Sequence, residues 1–194
     1  MGSKNGKPVL REEDIATLTE TSELSESQIN AVFDEFVEKH PNGKISPKEF
    51  QQMMAKALPK KDASKMEKNV FRLYDSNNDG FIDFTEFTTV YLIMSNGSPE
   101  EVLSKIFRVF DVDGNGFISL KELKKITTDL YGLLKKENPN LASKEMIGKL
   151  AFAEMDKDQD GRVSLQEFIG ACLGQEEFSR MLTSKIIDIF VEDE

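Results

Sequence analysis

Asp111–Glu122 reads DVDGNGFISLKE, and the same pattern recurs on either side, as DSNNDGFIDFTE over Asp75–Glu86 and DKDQDGRVSLQE over Asp156–Glu167. Each stretch puts Asp or Asn at positions 1, 3 and 5, glycine at 6, a β-branched residue at 8 and glutamate at 12. This is the pattern of a loop that curls around a calcium ion. Alternate side chains converge on one point, and a backbone carbonyl and a bidentate glutamate bring the count to about six to eight oxygens. The expected ligands in the first of these loops are Asp75, Asn77, Asp79, the Phe81 carbonyl and Glu86. In the next they are Asp111, Asp113, Asn115, the Phe117 carbonyl and Glu122. In the last they are Asp156, Asp158, Asp160, the Arg162 carbonyl and Glu167. One match could arise by chance. Three make Ca²⁺ the expected cofactor at three sites, with Mg²⁺ the alternative occupant at rest.

The loops carry their own folding instructions. Gly80, Gly116 and Gly161 allow the positive φ of a sharp turn. Asp83, Ser119 and Ser164 each stand three residues before the glutamate, the spacing that caps a helix start. Each loop therefore nucleates the helix that leaves it. Ile82, Ile118 and Val163 suit a short antiparallel bridge between paired loops.

Other helix signals recur along the chain. Leu10, Ile15 and Leu18 suggest a short amphipathic helix that stops near Thr21–Ser22. Ser25 with Gln28 opens a helix with Ile29, Val32, Phe33 and Phe36 on one face. Ser64 with Glu67 opens another, and Ser98-Pro99-Glu100-Glu101 a third. A helix ending at Leu133–Leu134 is expected before the Asn138–Asn140 break, and the next begins around Ser143. A last amphipathic segment spans Met181–Phe190.

The three loops start 36 and 45 residues apart, so a further loop is expected about as far before Asp75. Glu38–Glu49 (EKHPNGKISPKE) stands there and keeps Gly43, Ile45 and Glu49 at positions 6, 8 and 12. Its first position is Glu38, one methylene too long, its third is His40, and Pro41 stiffens the turn. Imidazole is a poor partner for a hard ion. This hand reads as silent and kept for packing, with His40 a solvent-facing residue that is neither catalyst nor ligand. The expected fold is all-α. Residues 1–24 form an N-terminal segment with an incoming helix, 25–95 and 96–175 form two EF-hand pairs with short loop bridges, and 176–194 form a C-terminal helix.

Composition narrows the function. The formal charge is −10, and eleven carboxylates occupy loop positions, so acidity belongs to ion sites and argues against nucleic-acid binding. Fourteen Phe and eight Met speak against a disordered acidic chain. Cys172, the one cysteine, fits a reducing compartment and a place in the core. No apolar run reaches the roughly 20 residues of a membrane span, and no phosphate loop or nucleophile–base set suggests an enzyme.

A silent first hand with His-Pro, three good hands after it and a long third-to-fourth linker together resemble the neuronal calcium sensor family. The likeness includes Leu10–Phe36, which looks like that family's incoming helix and first hand. The resemblance implies a cytoplasmic, peripherally membrane-associated sensor acylated at Gly2, the residue after the initiator Met. Lys7 suits the acceptor pattern, whereas Gly6 stands where Ser or Thr is favoured. It also implies a Ca²⁺-opened groove for an amphipathic helix of a cyclase, receptor kinase or channel. That groove would use Val32, Phe33, Phe36, Phe50, Met53, Met54, Phe71, Phe84 and Phe87, with Val32 standing where the family usually has Trp. Gly97 and Gly43 resemble its swivel points. The competing reading is a cytosolic Ca²⁺ buffer whose hands bind tightly and open little.

Overall fold

The chain is described by a computed structural model over residues 8–22, 24–57, 63–137, 139–174 and 176–191. Capping chemistry sets most helix starts. The first helix, α1 (Glu12–Thr21), opens with three acidic residues against its positive end. In α2 (Glu26–Lys39) the Ser25 hydroxyl accepts the Gln28 N–H, and Gln28 accepts the Ser25 N–H in return. A two-residue strand β1 (Lys44–Ile45) leads into α3 (Pro47–Ala57). Helix α4 (Ala63–Tyr74) is followed by β2 (Ile82–Asp83) and α5 (Phe84–Asn96). It begins a residue before Ser64, the start expected for it.

Gly97 ends α5 in extended backbone, and a Cβ there would meet the Ile93 carbonyl oxygen at 2.5 Å. Only glycine fits that approach, so the break between the hand pairs is dictated sterically. Ser98 and Glu101 then start α6 (Pro99–Phe110) with a capping box and Pro at N1. Strand β3 (Phe117–Ser119) runs into α7 (Leu120–Glu137), three residues longer than the expected stop at Leu134. Lys135, Lys136 and Glu137 are good helix formers, and Pro139 supplies the stop. Helix α8 (Lys144–Met155), β4 (Arg162–Ser164), α9 (Leu165–Leu173) and α10 (Glu177–Val191) complete the chain.

Two antiparallel bridges pair the loops. Ile45 faces Ile82 across β1–β2, and Ile118 faces Val163 across β3–β4. All four side chains are completely buried, so the position-8 residues pin the loops to the core as well as to each other. Below the first bridge, Phe84 meets Phe33 and Phe36 edge-on at 5.1 and 5.4 Å, and Phe50 meets Phe71 at 5.5 Å. Below the second, Phe168 packs on Phe107 and Phe110 at 5.6 and 5.5 Å. Arg72 of α4 donates to the Val109 carbonyl of α6, a tie between the two pairs.

Helix α10 lies against α7, α8 and α9 and reaches α5 and α6. Ser179, Leu182 and Ile186 are fully buried there. The Cys172 thiol is buried beside the Thr183 hydroxyl at 3.1 Å, and burial pushes its pKa up to about 11. An inert core thiol results, as expected from its setting.

Phe168→Ala should lower stability by about 3–5 kcal/mol, since a fully buried ring leaves a cavity. Tyr91→Ala, on a side chain that is 60 % exposed, should stay within about 0.5 kcal/mol. Urea unfolding with excess chelator measures both.

Candidate metal centre

The full loops share a hydrogen-bond scheme, from which the fourth departs at Asp156 Oδ1. In the second loop Asp75 accepts the N–H groups of Asp79 and Gly80 at 3.0 and 3.1 Å, and Asn77 accepts that of Asp79 at 2.8 Å. In the third, Asp111 accepts Asn115 and Gly116 at 3.1 and 2.9 Å. In the fourth, Asp156 accepts Gly161 at 3.2 Å and Asp158 accepts Asp160 at 3.1 Å. The turn glycines sit at φ +84, +86 and +87°, where only glycine is comfortable. Phe81, Phe117 and Arg162 stand where each loop runs into its bridge.

The position-12 glutamates do double duty. Glu86 Oε1 accepts the N–H groups of Ser76 and Asn77, while Oε2 accepts that of Asp83. Glu122 does the same with Val112, Asp113 and Ser119, and Glu167 with Lys157, Asp158 and Ser164. Each lies in the first turn of the outgoing helix yet reaches back across its own loop.

These groups fit a hard cation. Asp111, Asp113 and Glu122 offer carboxylate oxygens within 4.8 Å of one another, as do Asp156, Asp158 and Glu167. Asp156 Oδ1 is buried with no hydrogen-bond partner, which is costly unless a cation takes it. In the second loop, with Asn77 at position 3, Asp75 and Glu86 each accept N–H groups of the loop, while Asp79 pairs with Lys44 at 2.5 Å. A bound Ca²⁺ would neutralise the gathered carboxylates and close the oxygen shell.

Burial pushes the Glu122 carboxyl up, but hydrogen bonds from Ser119, Asp113 and Val112 prevail and hold it below the ordinary range. Glu167 is likewise held low: burial opposes, and Ser164, Asp158 and Lys157 outweigh it.

The loop over Glu38–Glu49, expected to be silent, departs from the other three at Glu38 and His40. Glu38 lies inside α2, not in the loop, because the helix continues to Lys39. His40 is its C-cap and is not solvent-facing: the side chain is 14 % exposed and its ring lies tilted against Phe36, 4.9 Å between centroids. The apolar face of α2 draws the imidazole inward, which corrects the expectation of an exposed residue. Its buried Nδ1 lacks a hydrogen bond and stands 3.7 Å from Glu49 Oε1. Glu49 itself closes on Ser46, through Oε2.

A family model for an EF-hand domain pair matches residues 65–128 and again 100–173. A neuronal calcium sensor 1 from Lymnaea stagnalis is 34% identical over 174 residues, spanning 87% of this chain and 89% of that one. A guanylyl cyclase inhibitory protein from Lithobates pipiens is 31% identical over 85% of this chain and 82% of its own. Human recoverin is 29% identical over 93% and 92%. The chain belongs to the neuronal calcium sensor family.

In this neuronal calcium sensor the nine residues assigned to a target groove are not gathered on one open surface. Phe33, Phe36, Phe50, Met54 and Phe84 are buried, Phe71 and Phe87 are half-buried, and Val32 and Met53 are exposed. Gly2 lies outside the described residues. Pro8, the first described residue, sits over Gly43, where a Cβ would meet its ring at 2.9 Å. Among the described residues no helix is long and apolar enough to cross a membrane.

Two residues had no local signal. Glu154 of α8 accepts the N–H groups of Phe178 and Ser179 and the Ser179 hydroxyl, clamping the start of α10. Lys44 reaches Asp79 from the silent loop, and its only advertisement is a cation at position 7 of a broken loop.

Glu122→Gln should remove one ion from the calorimetric count, because the bidentate ligand loses its charge. A pH effect follows as well. With folded values below the unfolded glutamate value of about 4.3, Glu122 and Glu167 stabilise the ion-free protein above that pH. The contribution is lost as pH falls through the folded values. Ser119→Ala should move the acid fall in melting temperature to higher pH, as read by circular dichroism between about pH 3 and 6.

Proposed function

We propose that the protein binds three Ca²⁺ through its second, third and fourth loops and converts occupancy into exposure of apolar surface that regulates a membrane-associated target. The observation that carries this reading is the placement of Glu86, Glu122 and Glu167. Each carboxylate is shared between a loop and the first turn of a helix. An ion that draws in the carboxylate must therefore turn the helix with it.

A first hand without a full ligand set but with its apolar face intact supports a sensor over a buffer. In the N-terminal pair the buried Phe33, Phe36, Phe50 and Phe84 and the half-buried Phe71 form an aromatic cluster with ring pairs 5.1–5.5 Å apart. A pair of hands that opens turns such a cluster into a groove for the apolar face of an amphipathic helix. One relative's name records inhibition of a guanylyl cyclase. A cyclase is thus one target class for this chain, beside a receptor kinase or a channel.

Gly2 is the proposed acyl acceptor and Lys4 and Lys7 the basic partners of anionic lipid. A myristoyl chain alone binds membranes weakly, about 10⁴ M⁻¹, so the second signal matters. Helix α10 acts as a lid. It already covers apolar surface of the C-terminal pair, with Leu182 and Ile186 buried, and a tethered ligand competes at an effective concentration of up to about millimolar.

Calorimetry should count three Ca²⁺ in the range of about 10⁻⁷–10⁻⁵ M, with ANS fluorescence rising as they bind. Two ions, or four, would overturn the assignment of loops; three ions with flat ANS would favour the buffer. Removing residues 180–194 should raise target-peptide affinity and ANS signal in Ca²⁺. Unchanged values would make α10 an ordinary packing helix.

A further inference from the structure

The bridge between the first two loops sets Lys44 opposite Asp83 while Ile45 and Ile82 turn into the core. Alternation along a strand then leaves Lys44 on the outer side of the bridge. From there its ammonium reaches Asp79 Oδ2 at 2.5 Å and lies 5.5 Å from the centre of the Phe81 ring. Asp79 is the position-5 ligand of the second loop, and its other oxygen accepts the Phe81 N–H at 2.9 Å. One ligand carboxylate is therefore held on one side by its own loop and on the other by a cation 35 residues away.

The other loops differ. Position 5 of the third loop is Asn115, which has no charge to share, and the position-7 residue that the third loop offers to the fourth is Phe117, which is no cation. In the fourth loop Arg162 Nε binds Asp160 Oδ2 at 2.8 Å, but both belong to one loop, and the guanidinium stacks 4.0 Å over Phe117. Among the described residues, it is in the second loop that the neighbouring hand supplies the cation. The first loop has no ligand set of its own to couple to the second, and what it contributes instead is a fixed positive charge.

We infer that Lys44 of the silent first loop sets the Ca²⁺ affinity of the second loop by sharing Asp79 with the ion. Ligand charge count is a principal control on the affinity of such loops, and an ammonium on one carboxylate removes part of that charge. The Lys44 and Asp79 side chains are 43 % and 37 % exposed, so the ion pair itself is screened and modest. Repulsion between the ammonium and a divalent cation on the same carboxylate acts in the same direction. Together they weaken the second site by about three- to tenfold relative to a chain without the charge. This rests on the proposed binding of Ca²⁺ by the second loop.

The test uses the full-length chain labelled with ¹⁵N and titrated in Ca²⁺ buffers, with the amides of Gly80, Gly116 and Gly161 reporting the three loops separately. In K44Q the Gly80 midpoint should move to free Ca²⁺ about three- to tenfold lower, while Gly116 stays in place. K44R should keep the parent midpoint. K48Q, which removes an exposed lysine from the same hand, should leave Gly80 unmoved. Raising KCl from about 0.05 to about 0.5 M should narrow the gap between K44Q and parent. A Gly80 midpoint in K44Q equal to the parent's, or at higher Ca²⁺, overturns the inference while leaving the three-ion reading intact. A Gly80 amide silent to Ca²⁺ in parent and variant alike overturns that reading too.

Discussion

A single carboxylate per hand ties ion chemistry to helix position. Glu86, Glu122 and Glu167 stand in the first turn of α5, α7 and α9, yet their oxygens close the loops behind them. The loop cannot contract around a charge without pulling on the helix, and the helix cannot turn without opening the loop. The capping residues Asp83, Ser119 and Ser164 reinforce the arrangement by binding the same glutamates at the helix start. The β-bridges join the two loops of each pair, and Ile45, Ile82, Ile118 and Val163 anchor them in the core.

The first hand keeps this frame without the ligands. Its glutamate, Glu49, caps α3 through Ser46 as in the full hands, but it faces an imidazole where they have loop amides. What survives is the part that packs: Ile45 in the bridge, Phe50 in the aromatic cluster and His40 against Phe36. A hand without the full ligand set still covers the partner hand's bridge and apolar face.

At the other end of the chain, α10 fills the space that the C-terminal pair would otherwise expose. Its seat is defined at one end by Glu154, whose carboxylate takes two backbone N–H groups and a hydroxyl, and by Lys157 of the fourth loop, which pairs with Glu176 at 2.5 Å. A negative group at a helix N-terminus is favourable in itself. Here it also connects the fourth hand's incoming helix and loop to the start of α10.

Sequence alone determined what depends on neighbours a few residues apart. The spacing of carboxylates around Gly80, Gly116 and Gly161 marked three loops of one hydrogen-bonded form, and Ser25–Gln28, Ser98–Glu101 and Ser164–Glu167 marked helix starts, because turns and caps are closed by local bonds. The defects of Glu38–Glu49 were equally legible. The inward turn of His40 was not, because the apolar face that draws it in exists only once α2 is packed. The same holds for the seat of α10 on Glu154, joined across 25 residues, and for Lys44 on Asp79 across 35. Only the tertiary structure decided these contacts, since electrostatic and apolar partners are selected by proximity in space, and a linear pattern carries no record of which distant groups the packed core will bring within reach.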